Sequence, residues 1–171
     1  MDLVTDRLRL RVPSAADVDA LHAIVGDPET MKYWAPGRDR TRLATSQRID
    51  GMLAHWQTHG FGDRVIIELS SGLLVGFCGI HFVPGRALPN LGYVVERGCW
   101  GRGIATEAAR ASVQSASSAT LKRIEAVAYT ENPASRRVLE KCGMRFVEFI
   151  YEFKGRRYVK PWAVYELELD S

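Results

Sequence analysis

Nine residues in the middle of the chain, Gly98-Cys99-Trp100-Gly101-Arg102-Gly103-Ile104-Ala105-Thr106, have the types and spacing to hold an anion. An apolar strand of about Leu91 to Val95 feeds this turn, and a helix of about Gly103 to Ser117 leaves it. The first turn of a helix has no internal acceptors for its N–H groups, and its dipole adds about half a positive charge there. Glycines at 98, 101 and 103 remove Cβ atoms that would keep a bulky anion off the backbone, and Arg102 adds a charged, forked donor set. The chemistry indicated is phosphate or pyrophosphate binding.

Three readings of such a turn compete. A Walker loop needs lysine followed by serine or threonine, and this turn has no lysine. The dinucleotide fingerprint is half met by Gly101 and Gly103; Thr106 takes the place of the third glycine, and Glu125 lies near the ribose-binding spacing of about 20 residues. The third reading is a turn that only starts a helix.

The flanking elements help to choose. Leu8, Leu10 and Val12 alternate with Arg7, Arg9 and Arg11 as in a half-buried strand, which Pro13 ends. Ser14 to Asp17 fits a capping box, and Val18, Leu21, Ile24 and Val25 form one helical stripe. A second helix is predicted from about Thr41 to His59, closed by Gly60. Strands at Val65–Leu69, Leu73–Phe82 and Leu91–Val95 then form an antiparallel meander. After the glycine turn and its helix come a strand, Arg123–Tyr129, and a helix with Asn132 as N-cap and Pro133 at its first position, ending at Gly143. Two last strands, about Arg145–Phe153 and Tyr158–Leu169, meet at Lys154-Gly155. The fold class is α+β, with a mixed, mostly antiparallel central sheet of about six to seven strands and about four helices. One domain spanning residues 1–171 is expected. The antiparallel meander leaves too few β-α units for a doubly wound dinucleotide fold.

Three ordered motifs carry a resemblance: Trp100-Gly101-Arg102-Gly103-Ile104-Ala105-Thr106-Glu107-Ala108, Arg123-Ile124-Glu125-Ala126, and Asn132-Pro133-Ala134-Ser135 with Leu139-Glu140-Lys141-Cys142-Gly143-Met144. Together they resemble the GCN5-related N-acetyltransferase (GNAT) superfamily, and within it the branch that acetylates ribosomal-protein N-termini. The likeness runs from Thr5-Asp6-Arg7-Leu8-Arg9-Leu10 to the final hairpin. It implies the acyl-CoA N-acyltransferase fold and acetyl-CoA as cosubstrate, with no metal. It further implies that Tyr93, Val94 and Val95 bond the pantetheine arm from a splayed strand, and that Arg102 to Thr106, with Gly101, hold the pyrophosphate. Asn132 would contact the arm, and Ser135 would protonate the departing thiolate. Tyr33 and Trp34 would line the acceptor groove beside Asn90; with Trp56, Phe61 and Trp162 they are otherwise aromatic packing residues. Trp100 would anchor the turn.

The implied reaction is attack of a neutral amine on a thioester, with backbone donors stabilising the oxyanion. An α-amine of pKa about 8 is neutral about one time in five near neutral pH, and a lysine of pKa about 10.4 about once in a thousand. A base therefore matters more for a lysine acceptor. Many relatives carry a glutamate two residues before the Gly-Tyr of the cofactor strand, where this chain has Asn90, which cannot act as a base. His81, expected across the hairpin from Asn90, is the candidate; Glu125 and Glu152 are fallback carboxylates. The substitution also motivates an alternative, an acetyl-CoA-binding module with little or no catalysis.

Composition sets the remaining expectations. The chain has 171 residues, and no apolar run approaches the length of a membrane span. The N-terminal residues lack the order of a signal peptide, so a cytoplasmic protein is expected, either monomer or homodimer. Three cysteines, Cys78, Cys99 and Cys142, without a CxxC pair suggest neither disulfides nor zinc. A net charge of +3, with basic residues dispersed apart from a solvated-turn cluster at Lys154, Arg156 and Arg157, does not indicate nucleic acid binding. The expected partners are acetyl-CoA and an amine acceptor, a protein N-terminus or a small molecule.

Overall fold

The Leu-Arg alternation near the start of the chain produces a strand whose Leu8 and Leu10 are fully buried and whose Arg9 faces solvent. The computed structural model describes residues 1–35, 37–117 and 121–169. In chain order the elements are β1 (Leu3–Val4), β2 (Leu8–Arg11), α1 (Val18–Val25), α2 (Arg42–His59), β3 (Arg64–Glu68), β4 (Leu74–Phe82), β5 (Pro89–Val95), α3 (Ile104–Ser117), β6 (Arg123–Tyr129), α4 (Pro133–Lys141), β7 (Arg145–Phe153) and β8 (Arg156–Glu168). Among the described residues the strands form one 8-stranded sheet in the order β1-β2-β3-β4-β5-β6-β8-β7. Among the described residues this is an α+β architecture with a mixed, mostly antiparallel sheet and four α-helices. The strand beyond the predicted number is β1, whose two residues are too short to show a period.

Local chemistry sets the helix ends. The Ser14 N–H donates to Asp17 Oδ2 at 2.7 Å, and Arg11 clamps the same carboxylate at 2.8 and 2.5 Å, so the box that starts α1 is tied to β2. Thr41 Oγ1 accepts the Ala44 N–H at 3.1 Å to start α2, and Gly60 stops it at φ 73°. Asn132 Oδ1 accepts the Ser135 N–H at 3.2 Å to start α4.

The sheet separates two apolar layers. On one face, Ile104, Ala108 and Ala109 of α3 and Leu139 of α4 pack with Leu91, Cys78, Ile66 and Ile124. On the other, Leu21 and Ile24 of α1 and Ile49 and Met52 of α2 pack on Phe77 and Val94. Each fully buried aliphatic side chain contributes about 2 kcal/mol, which makes both layers strong enough to hold the sheet between them. The antiparallel meander runs through β3, β4 and β5, with His81 opposite Asn90. β5 and β6 are parallel, and Asn90↔Glu125 is their single register pair among the described residues. Past that pair β5 continues to Val95 and β6 to Tyr129 without pairing each other, so the sheet opens there.

Candidate active site

The opening in the sheet is the floor of a cleft of about 580 Å³. One end is the glycine turn: Gly101, Gly103, Ile104, Ala105 and Thr106 all line it. Gly101 and Gly103 hold φ of 74° and 78°, a region that L side chains avoid, and an added Cβ on Gly101 would meet no atom within 4 Å. The glycines are therefore required by backbone conformation, and the space beside Gly101 is open to a ligand. Trp100 anchors the turn through a 2.8 Å bond from Nε1 to the Val95 carbonyl, with its ring half exposed. The β1–β2 turn clamps the helix start: Arg7 donates to the Arg102 carbonyl at 2.9 Å and to Glu107 at 2.7 Å, and Thr5 donates to Glu107 at 2.6 Å. Burial alone would raise the Glu107 carboxyl, but these bonds hold it below its usual range. It remains a charge in the first turn of α3, where the dipole favours one.

Arg102 lies elsewhere. Its guanidinium pairs with Glu68 and reaches Cys99 Sγ at 3.4 Å, half exposed and outside the cleft lining. In this arrangement its side chain belongs to the support of the turn rather than to the anion cradle.

Tyr93, Val94 and Val95 on β5 and Asn132 and Ser135 on α4 line the middle of the cleft. The Tyr93 hydroxyl lies 2.7 Å from Ser135 Oγ and 3.0 Å from the Ser135 carbonyl. Burial pushes the Tyr93 hydroxyl well above its ordinary range, only partly offset by the bond to Ser135. Tyr93 therefore stays protonated and serves as a donor. The sequence points to Tyr93 for its backbone alone; the hydroxyl pair depends on α4 packing over β5 and has no local signal.

The other end holds His81, Asn90, Tyr33 and Trp34 together. His81 Nδ1 is 3.1 Å from Asp63 Oδ1, so beside an ionised carboxylate Nδ1 carries the proton and Nε2 is the free ring nitrogen. Burial of Asp63 works against its charge, but His81, with His55 and Lys154 further off, overcomes this and holds its carboxyl below the usual range. The Asp63 carbonyl accepts Trp56 Nε1–H at 2.7 Å, which places Trp56 behind the site rather than in the groove. A Cβ on Gly79 would lie 2.3 Å from Asp63 Cα, so only glycine lets the Asp63 segment rest on β4. His55 props the pair: its Nε2 accepts the Phe82 N–H at 3.1 Å and its Nδ1 faces the Phe61 carbonyl at 2.8 Å. Burial lowers its pKa and these two bonds fix the neutral Nδ1–H form.

The fallback carboxylates do not serve this end. Glu125, 2% exposed, is bound by both arms of Arg86 at 2.6 and 2.5 Å and accepts from Asn90 Nδ2 at 3.4 Å. Glu152 is exposed and pairs with Arg157 at 3.6 Å. Two contributors went unassigned on sequence: Asp63, and Lys154, whose side chain turns into the cleft instead of lying on a solvated turn. Gly79 within an apolar strand was the one available sign of a close backbone approach near Asp63.

Residues 7–145 match the family described as Acetyltransferase (GNAT) domain. The chain is 33% identical over 164 residues to the uncharacterized N-acetyltransferase p20 of Bacillus licheniformis, covering 90% of this chain and 89% of that protein. It is similar in structure to a GNAT-family acetyltransferase from Bacillus anthracis, with TM-score 0.85, 25% identity and 100% of both chains covered. It is also similar to Mycobacterium smegmatis RimJ, solved in complex with CoA-disulfide, with TM-score 0.78 and 25% identity over 94% of this chain and 81% of that one.

Proposed function

The chain belongs to the GNAT acetyltransferase family and is an acetyl-CoA-dependent N-acetyltransferase; on that premise we propose that its acceptor is a primary amine, a protein N-terminus or a small molecule, deprotonated by His81. The observation that carries this reading is the Asp63–His81 pair at one end of the cleft that has the glycine turn at the other.

Acetyl-CoA, when bound, supplies a thioester carbonyl open to attack by nitrogen. The N–H groups that start α3 and the positive-φ glycines fit its pyrophosphate, and the open stretch of β5 past Asn90 fits the arm. Asn132 Oδ1 caps α4, which leaves its Nδ2 to donate to the arm. His81 Nε2 takes the proton that the amine must lose, while Asp63 fixes the ring and stabilises the imidazolium that results. Asn90, buried opposite His81 and bonded to Glu125, positions rather than deprotonates. On the other side of the reacting centre the Tyr93 hydroxyl, 2.7 Å away, holds Ser135 Oγ in place, and the serine hydroxyl is the proton donor to the departing sulfur. The N–C bond forms as the C–S bond breaks; the ammonium acceptor gives up two protons, the first to His81 and the second to the Ser135 oxygen as that serine passes its own proton to the departing sulfur.

The test is to follow free thiol from acetyl-CoA with a panel of primary amines across about pH 7 to 9, where α-amines deprotonate. Amine-dependent thiol release that rises through this range is expected. Acetyl-CoA binding without amine-dependent release would instead favour a binding module, the reading that Asn90 motivates.

A further inference from the structure

The acceptor end of the cleft carries a cation without a counter-ion. Lys154 sits in the β7–β8 turn at φ 50°, the sole non-glycine at positive φ among the described residues, and this backbone turns its side chain inward. Its Nζ lies 4.7 Å from the centre of the Trp34 ring and 5.6 Å from that of Phe153. The neighbouring Arg156 and Arg157 of the same basic cluster are exposed. No carboxylate among the described residues forms an ion pair with Lys154, and Asp63, whose charge it feels, is bonded to His81. The other nearby cation, Arg48, stacks at 6.0 Å from the Trp34 ring and is neutralised by both oxygens of Asp39, at 2.9 and 2.6 Å. The wall is also poor in acceptors: Trp34 Nε1 and Trp162 Nε1 are buried without a partner among the described residues.

Holding Lys154 here is costly. Burial pushes its ammonium down to about 8 from 10.5, helped by repulsion from Arg48 and opposed by Asp63. The charged form is disfavoured by the fold at low pH, and the cost is relieved as pH rises through about 8 towards 10.5. An anion delivered by a ligand would offset it. A bare ammonium acceptor would add a second positive charge, so this end of the cleft discriminates against purely cationic amines.

Resting on the amine-acetyltransferase reading above, we propose that Lys154 is a specificity-determining residue that binds a carboxylate carried by the acceptor amine. The shared chemistry is a primary amine with a carboxylate a few bonds away. It arises in a free amino acid of the γ-amino type or in a peptide with an acidic first residue.

Both sources are tested with matched acceptors: γ-aminobutyrate against n-butylamine, and Glu-Ala-Ala amide against Gln-Ala-Ala amide. Wild-type protein should favour the carboxylate member of at least one pair by about tenfold or more in kcat/KM, which is about 1.4 kcal/mol. The pair that shows it identifies the source. Lys154→Gln should bring that ratio near one, and Lys154→Arg, which keeps the charge, should restore most of it. The same recognition is read without chemistry by calorimetric binding of N-acetyl-γ-aminobutyrate, N-acetyl-Glu-Ala-Ala amide and their uncharged counterparts to protein saturated with CoA. A Lys154-dependent preference there supports the proposal even if no amine turns over, in which case it is the catalytic reading that fails. Absence of a carboxylate preference in both turnover and binding overturns it, as does a preference that survives Lys154→Gln. Equal loss of turnover on all acceptors in Lys154→Arg overturns it too, since it would mark the lysine as a proton acceptor.

Discussion

At the glycine-turn end of the cleft the parts are main chain: two glycines at φ 74° and 78°, the start of α3, and β5 where it parts from β6. At the other end, proposed above to take the acceptor, they are side chains drawn from four separate segments: Trp34, Asp63, His81 and Lys154. Backbone sites tolerate little change in conformation but much change in the side chains around them. Side-chain sites respond to single functional groups and can be retuned without altering the fold.

The contrast can be broken at its strongest point with Gly103→Val. A β-branched residue at positive φ costs about 1–3 kcal/mol of strain and blocks close approach to the helix start. Acetyl-CoA affinity by calorimetry should fall about 100-fold, roughly 2.7 kcal/mol, with the folded state retained by circular dichroism. Affinity within a few-fold of wild type would show that the turn does not cradle the cosubstrate.

Ser135→Ala should have a smaller effect and on a different quantity. Steady-state kinetics should show kcat lowered about tenfold, while acetyl-CoA affinity stays within about twofold. The loss is moderated because Tyr93 keeps a proton 2.7 Å from the vacated oxygen position. Unchanged kcat would remove the proton-donor role.

Arg102→Ala should have the least effect. Its guanidinium is half exposed and bound to Glu68 outside the cleft, so acetyl-CoA affinity should change less than about threefold. A large loss would mean that the side chain swings onto the pyrophosphate when the ligand binds, and that the cofactor end is not purely backbone.

The same division explains what could be read from sequence. The glycine turn, the Asn132-Pro133 helix start, the Thr41 and Gly60 caps and the β3–β5 meander were all legible, because each demands particular residue types within a few positions. The fold class and the opposition of His81 and Asn90 followed from those local signals. Asp63 was not legible, because its contact with His81 is made by β3–β4 pairing and by the absence of a side chain at Gly79, 16 residues further along the chain. Lys154 reads as one charge in a solvated cluster, and what separates it from Arg156 and Arg157, a positive φ and a side chain turned onto Trp34, is set by the folded turn. Arg102 looked like a phosphate ligand by position, but the partner that takes its side chain, Glu68, lies 34 residues away in sequence. Glu125 is a fallback carboxylate by sequence, but its partner Arg86 lies 39 residues away and closes on it only where β5 and β6 come together.

If His81 carries the chemistry, its loss separates turnover from cosubstrate binding. The direct measurement is the pair of constants for His81→Gln: kcat/KM for the best amine by thiol release, and Kd for acetyl-CoA by calorimetry. kcat/KM should fall about 100-fold with Kd within about twofold, and little further loss should follow when Asp63→Asn is added, because the two act as a unit. Turnover preserved in His81→Gln, or affinity lost in step with turnover, would contradict it.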